Sequence, residues 1–235
     1  MSAESVAEHL KRQAALRALD HVTDGMLLGL GSGTTAEIFL EELGRRVADG
    51  LRIVGIPTSL QVARLAARHR IPLTDLDDGA TIDLTVDGAD EIDPRTLNLV
   101  KGHGGALVRE KLVAVASQQE LIIADASKLV QRLGEHGPVP VAVVQFGWQH
   151  TARAIERLGA RPERRLGDDG RPFVSDDGLY ILDCHVAPID APQALARALK
   201  EVVGVVEHGL FLGLAQKAIV AAEDGVQELD RPTPT

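Results

Sequence analysis

The run Gly29-Leu-Gly31-Ser32-Gly33-Thr34-Thr35 joins three glycines to three hydroxyl side chains. Glycines let a ligand approach backbone N–H groups closely. A helix starting there would add about half a positive charge at its N-terminus. In chemical terms this is a phosphate cradle; a plain glycine turn with Ser/Thr helix caps is the alternative. It is not a Walker A loop, because no Lys follows the last glycine, and not G-x-G-x-x-G, because Thr34 holds the sixth position. A second run, Asp87-Gly88-Ala89-Asp90-Glu91-Ile92-Asp93, places four carboxylates in seven residues. That pattern suits proton transfer to hydroxyls, a divalent cation or a solvated loop. A metal site would want helper ligands, and none of the eight histidines pairs at ligand spacing. In the third run, Lys101-Gly102-His103-Gly104-Gly105-Ala-Leu-Val-Arg109-Glu110-Lys111, a lysine precedes a glycine-rich turn. Glu110 falls about a turn and a half into the helix that follows, within reach of the loop or else free on the surface. Ala124-Asp-Ala-Ser127-Lys128 sets a further lysine at a strand end.

These residues need elements to hold them. Val6, Leu10, Ala14, Leu16, Leu19 and Val22 space a first helix over 4–21. Strands are expected at Met26–Leu30, Leu51–Ile56, Ile82–Val86, Leu97–Val100 and Leu121–Ala124, and helices at Thr34–Val47, from Ser59 as N-cap to His69, and at Gly105–Ser117. Alternating apolar strands and helices predict a parallel α/β sheet with both faces covered. Each chemical run then lies at the carboxyl end of a strand of that one sheet, the edge where such folds bind ligands. After the linker-like Gly134–Pro140 the order is β-α-β-β-α with a returning strand, which predicts a smaller α+β, ferredoxin-like domain. The apolar tail from Leu210 to Val226 returns to the first core. The expected organisation is a three-layer parallel-sheet α/β domain of residues 1–132 plus 207–235, interrupted by residues 133–206, with a frayed end at 230–235.

The chain has 235 residues, 45% hydrophobic, and a formal charge of −9. It is long enough for a substantial core. An acidic chain argues against non-specific nucleic-acid binding, although an anion can still find a locally positive site. Cys184 is the single cysteine, so no intramolecular disulfide asks for an oxidising compartment. No apolar run reaches the ~20 residues of a membrane span, and the N-terminus carries no apolar signal core. The expectation is a cytoplasmic protein with no membrane or nucleic-acid partner.

Together the four runs are similar to the type A ribose-5-phosphate isomerase family. The resemblance also takes in Pro138-Val-Pro-Val141, Arg161-Pro-Glu163, Gly204-Val-Val and His208-Gly-Leu-Phe211, and so nearly the whole chain. His103 departs from the family's all-glycine third loop. The resemblance implies interconversion of D-ribose 5-phosphate and D-ribulose 5-phosphate, without cofactor or metal, by a homodimer or homotetramer. It implies a base at Glu110, further catalytic groups at Asp87, Asp90 and Lys101, and sugar-phosphate contacts at Ser32, Gly33, Thr34, Thr35, Asp87, Gly88, Ala89, Asp90, Lys101, Gly102, His103, Gly104 and Lys128. Lys11 resembles a lysine that assists with phosphate. A non-catalytic sugar-phosphate-sensing domain shares such a fold, but it would need a DNA-binding segment for which this pattern leaves no room.

Overall fold

The computed structural model describes residues 3–77 and 79–232. Its first half alternates as the apolar spacing predicts: α1 (Ala3–Ala18), β1 (Leu27–Leu30), α2 (Thr34–Ala48), β2 (Val54–Pro57), α3 (Leu60–Arg68) and β3 (Ile82–Asp87). Ser59 caps α3, its hydroxyl accepting from Val62 N at 3.1 Å. There follow β4 (Glu91–Asp93), β5 (Asn98–Val100), α4 (Leu107–Val115) and β6 (Ser117–Asp125). The chain returns later with β11 (Leu210–Phe211), β12 (Lys217–Ala222) and β13 (Gly225–Asp230). The main sheet runs β13-β12-β6-β3-β1-β2, parallel except for β13.

Along β6, Leu121 and Ile123 join one core while Ile122 and Ala124 join another, so the strand is buried on both faces. On the first face lie α1, α2 and α3, through Ala14, Phe39, Leu43 and Val62. The second face carries α4 and, unexpectedly, a three-stranded antiparallel sheet β11-β5-β4, through Ile92, Leu99 and Phe211. Two expectations are corrected here. Strand 97–100 does not belong to the main sheet, so Lys101 reaches the site from a different sheet. The acidic run is not simply a loop, because Glu91–Asp93 forms β4. The carboxylates of Glu91 and Asp93 turn to donors outside the cleft, those of Glu91 from residues 134–137 and those of Asp93 from Arg95 and Thr96.

Residues 139–208 build a second sheet, β10-β7-β9-β8, from β7 (Val139–Val143), β8 (Arg161–Arg164), β9 (Tyr180–His185) and β10 (Val205–His208), all antiparallel. With α5 (Trp148–Glu156) and α6 (Pro192–Lys200) this is the βαββαβ order of a ferredoxin-like unit. Period-two alternation divides β7: Val139, Val141 and Val143 pack with Ile155 and Leu199 of the two helices. Ala142 turns the other way, with Ile181, onto Leu107 of α4. Helix α4 is thus held between the two sheets. Asp230 ends β13 opposite Lys217, inside the stretch expected to fray, and 233–235 lie outside the described residues.

Candidate active site

The loop after β1 is shaped by an approach that only glycine permits. A Cβ on Gly31 would lie 2.2–2.4 Å from the side chain and Cα of Asp87. Gly31 N donates to Val86 O at 3.0 Å, and Ser32 N to Asp87 Oδ1 at 2.9 Å. Ser32 Oγ meets Thr58 Oγ1 at 2.8 Å, which in turn donates to Leu30 O. Gly33 precedes α2 at φ 92° and gives the helix no side-chain cap, so the first-turn N–H groups of α2 have no side-chain acceptor from that residue. Gly31→Ala should therefore move the loop off Asp87 and lower both melting temperature and affinity for a phosphorylated ligand. Thermal melts and ligand titration check this, and an unchanged variant would contradict the close-approach argument.

The acidic run separates by role. Glu91 accepts from Gly134 N, His136 N and Gly137 N at 2.5, 2.6 and 3.2 Å, and so ties down the segment that leads into β7. Asp93 is held by Arg95 and Thr96, and its proton affinity falls below the ordinary carboxylate range because those donors outweigh the effect of burial. Asp90 faces the cleft instead, and Asp87 lies behind it against Lys101. Asp90 N donates to Val100 O at 2.9 Å and its Oδ2 accepts from His103 N at 3.0 Å, fixing the third loop beside it.

At the centre, Lys101 Nζ lies 2.9 Å from Asp87 Oδ2 and 3.7 Å from Glu110 Oε2, and donates to Gly88 O at 2.6 Å. Asp87, Lys101 and Glu110 are 0%, 2% and 4% exposed. The Phe211 ring sits 5.5 Å from the ammonium. Burial works against the Lys101 charge, but Asp87, Glu110 and Glu120 together hold its proton above the ordinary lysine range. Burial likewise raises the proton affinity of Asp87 above the ordinary carboxylate range, and its ammonium partner and two backbone donors oppose that rise. Glu110 has weaker support. Burial pushes its carboxyl up, Lys101 opposes, and Asp87 and Asp90 push it further, to about 8. Once ionised, a carboxyl so poised is a stronger base than an exposed glutamate.

Neighbouring contacts hold these groups in place. Lys111, one residue after Glu110, donates to His208 O at 2.6 Å and Leu210 O at 3.0 Å and pairs with Glu207 at 2.9 Å, anchoring α4. Arg165, from the second sheet's side, donates to Gly102 O and His103 O at 3.0 and 2.8 Å while pairing with Asp183. Asp125 Oδ1 accepts from Ser127 N, closing the turn that presents Lys128.

One cleft is lined by Ser32, Gly33, Thr34, Thr35, Gly88, Ala89, Asp90, Lys101, Gly102, Gly104, Glu110 and Lys128, all of them expected from the sequence. Three expected residues stand off its wall. Asp87 lies behind Lys101. His103 turns its ring away, Nε2 lying 3.0 Å from Pro138 O and Nδ1 3.5 Å from Asp90. Lys11 reaches the cradle only through Thr34 Oγ1, at 2.9 Å. Sequence reading missed Thr58 and Phe211, and it missed Glu120, which opens an apolar run and so reads as the polar entrance to a strand. Among the described residues, no group of three or more His, Cys, Asp or Glu side chains is placed to hold a metal ion.

A hydroxyl-lined anion cradle, a poised buried base and an ammonium beside it form a site for moving protons on a phosphorylated molecule. Comparison with known proteins identifies the lineage. Residues 54–225 match the family profile of ribose 5-phosphate isomerase A (phosphoriboisomerase A). The chain belongs to the ribose 5-phosphate isomerase A family. A ribose-5-phosphate isomerase A from Gloeobacter violaceus is 52% identical over 220 residues, covering 94% of this chain and 95% of that one. The solved ribose 5-phosphate isomerase A of Methanocaldococcus jannaschii superposes with a TM-score of 0.91 at 38% identity, over 95% of this chain and 99% of that one. A D-ribose-5-phosphate isomerase in complex with phospho-erythronic acid gives a TM-score of 0.92 at 38% identity, over 96% and 99%. The likeness to ribose 5-phosphate isomerase A thus covers nearly the whole chain.

Proposed function

We propose that this chain interconverts D-ribose 5-phosphate and D-ribulose 5-phosphate, with Glu110 as the base that carries a proton between C2 and C1. The observation that supports it most is Glu110 itself: buried, pushed up to about 8, on the wall of a cleft that faces a phosphate cradle, in a chain of this family. Ser32, Gly33, Thr34 and Thr35, with Lys11 behind Thr34 and Lys128 across the cleft, take the phosphate and outer hydroxyls. Gly88, Ala89 and Asp90 line the sugar, and Gly102, His103 and Gly104 close over it. Ring opening passes a proton through the Asp87–Lys101 pair while Asp90 orients the hydroxyls. Glu110 then removes the C2 proton. Negative charge grows on oxygen in the enediolate, and Lys101 with the loop N–H groups stabilises it. Glu110 returns the proton at C1 while the C2-hydroxyl proton passes to O1, leaving the C2 ketone. Phospho-erythronic acid in the solved relative suits such a site, since its carboxylate presents planar charged oxygens like those of an enediolate. Ketose formation by purified protein tests the proposal: conversion of ribose 5-phosphate well above that of unphosphorylated ribose is expected, and no conversion would refute it.

Thr35→Ala and Lys128→Ala should act on KM more than on kcat. Each removes a polar or charged contact of ~1–3 kcal/mol, about 5- to 150-fold in affinity. Steady-state kinetics on ribose and ribose 5-phosphate check the assignment; equal losses on both would show that Thr35 does not read phosphate.

The proton route asks for no metal, because the Lys101 ammonium supplies the positive charge among the carboxylates. Activity after exhaustive EDTA treatment should stay within about twofold, well under the tenfold that ~1.4 kcal/mol would produce. Collapse on chelation, with recovery on adding Mg²⁺ or Mn²⁺, would assign the acidic run to a metal.

The proposal extends to a cytoplasmic homodimer or homotetramer. Cys184 is free and buried, and burial pushes its thiol up to about 12, so it is an inert core residue. Phe146 and Val203, 95% and 91% exposed, stand on neighbouring segments joined by the Val144 N to Gly204 O bond, an apolar patch that a second copy could cover. Sedimentation of the purified chain reads the state directly.

A further inference from the structure

Behind the cleft lies a carboxyl that the proton route does not use. Glu120 stands on β6 opposite Thr85 of β3, two residues before Ile122, the register partner of Asp87. Side chains two apart on a strand share a face, so Glu120 lies on the same side of the sheet as Asp87. It is 1% exposed, and neither carboxyl oxygen has a hydrogen-bond partner among the described residues. The charged groups that act on it come from three directions: Asp87 from β3, Lys101 from the loop after β5 and Glu110 from α4. On the β12 side stands Gln216, uncharged, which binds only the backbone of Glu120, its Oε1 accepting from Glu120 N at 2.5 Å.

The charge count decides what Glu120 is. Lys101 is the one ammonium among these groups, and Asp87 already pairs with it at 2.9 Å. Ionising both Glu110 and Glu120 would leave three buried carboxylates against one cation. Glu110 lies on the cleft wall, whereas Glu120 does not and neither of its oxygens meets a donor among the described residues, so its charge is the costlier one. Burial, then the neighbouring carboxylates, raise its proton affinity well above the ordinary glutamate range.

We propose that Glu120 is a positioning residue for the isomerisation: a buried carboxylic acid that must stay uncharged for Glu110 to work as the base. The active site then carries one proton on the Glu110/Glu120 pair. With two protons there is no base. With none, the second buried negative charge opposes formation of the enediolate. The inference rests on the reading of Glu110 as base. It adds that the alkaline limb of the pH profile belongs to Glu120 and the acid limb to Glu110, as macroscopic steps of a coupled pair.

The test is the pH dependence of kcat/KM for wild type, Glu120→Gln, Glu120→Asp and Glu120→Met. Wild type should give a bell. Glu120→Gln, neutral at every pH, should keep its acid limb and most of its turnover near neutrality and lose the alkaline limb. Glu120→Asp should retain an alkaline limb, and Glu120→Met should lose it, covering the case in which a buried amide fails to fold. Infrared spectroscopy gives a readout independent of turnover: at a pH where Glu110 is ionised, wild type should show the carbonyl band of a protonated carboxylic acid, absent from Glu120→Gln. An alkaline limb unchanged in Glu120→Gln and Glu120→Met, a wild-type profile with no alkaline limb, or no such band would overturn the proposal. Absence of isomerisation by wild type at any pH would instead refute the underlying function, and the infrared band would still report on Glu120.

Discussion

Glu110→Gln should lower kcat by ~10² or more while leaving the affinity for a non-isomerisable five-carbon phosphate nearly unchanged. The amide keeps the size of the side chain and its place on the cleft wall but cannot accept the C2 proton. An interaction made only in the transition state is lost while uniform binding survives. A variant that keeps more than about a tenth of wild-type kcat would remove Glu110 from the mechanism. The same substitution has a stability signature of definite sign. The Glu110 carboxyl is raised in the fold from the ordinary 4.5 to about 8. Its contribution is therefore fully present below pH 4.5 and is lost as pH rises through about 8. Glu110→Gln does not titrate, so it should gain on wild type in melting temperature as pH climbs through that window. Melts at acid and mildly alkaline pH read this, and a gap that does not widen with pH would contradict the buried, weakly supported carboxyl described above.

Lys101→Met should be the most disruptive single change at the site. Methionine fills similar space but leaves the buried Asp87 carboxylate with backbone donors alone and Glu110 with no cation at 3.7 Å. Breaking a buried ion pair from one side typically costs 3–5 kcal/mol, equivalent to a fall of roughly 6–20 °C in Tm for a chain of this size. The deficit should shrink at acid pH, where the orphaned carboxyls take up protons. Turnover should drop by ~10² or more, since the charge that meets the enediolate is gone. Whatever activity remains should have its acid limb at higher pH, because Glu110 loses the neighbour that opposed protonation. Lys101→Met with wild-type stability and activity would mean that the ammonium neither holds the cluster nor serves the reaction.

Most of the cleft was legible in the residues because its chemistry is written in short runs. Gly31, Ser32, Thr34, Asp90, Lys101 and Glu110 each sit in a stretch whose composition has a local physical reason, although Lys101 comes from the end of a strand of the smaller sheet and not from the edge expected for it. The missing parts depend on distant contacts. Glu91 shares the acidic run with Asp87 and Asp90, and only Gly134 and His136, far along the chain, take it out of the site. Three-residue β4 and β5 carry too little periodicity to announce a separate sheet. Glu120 was invisible for a related reason. A glutamate at the head of an apolar strand reads as solvent-facing, and only the register of β6 against β3, with α4 laid over both, places it under the site.

The most direct test of the central claim is isomerisation in D₂O followed by NMR. Proton abstraction by Glu110 predicts that deuterium accumulates at C2 of ribose 5-phosphate and C1 of ribulose 5-phosphate over repeated turnovers with wild type, and that Glu110→Gln incorporates none on the same timescale. Equilibration of the two sugars with the C2 hydrogen retained as protium would show that hydrogen moves between the carbons without a solvent-exchangeable base, and would contradict the account.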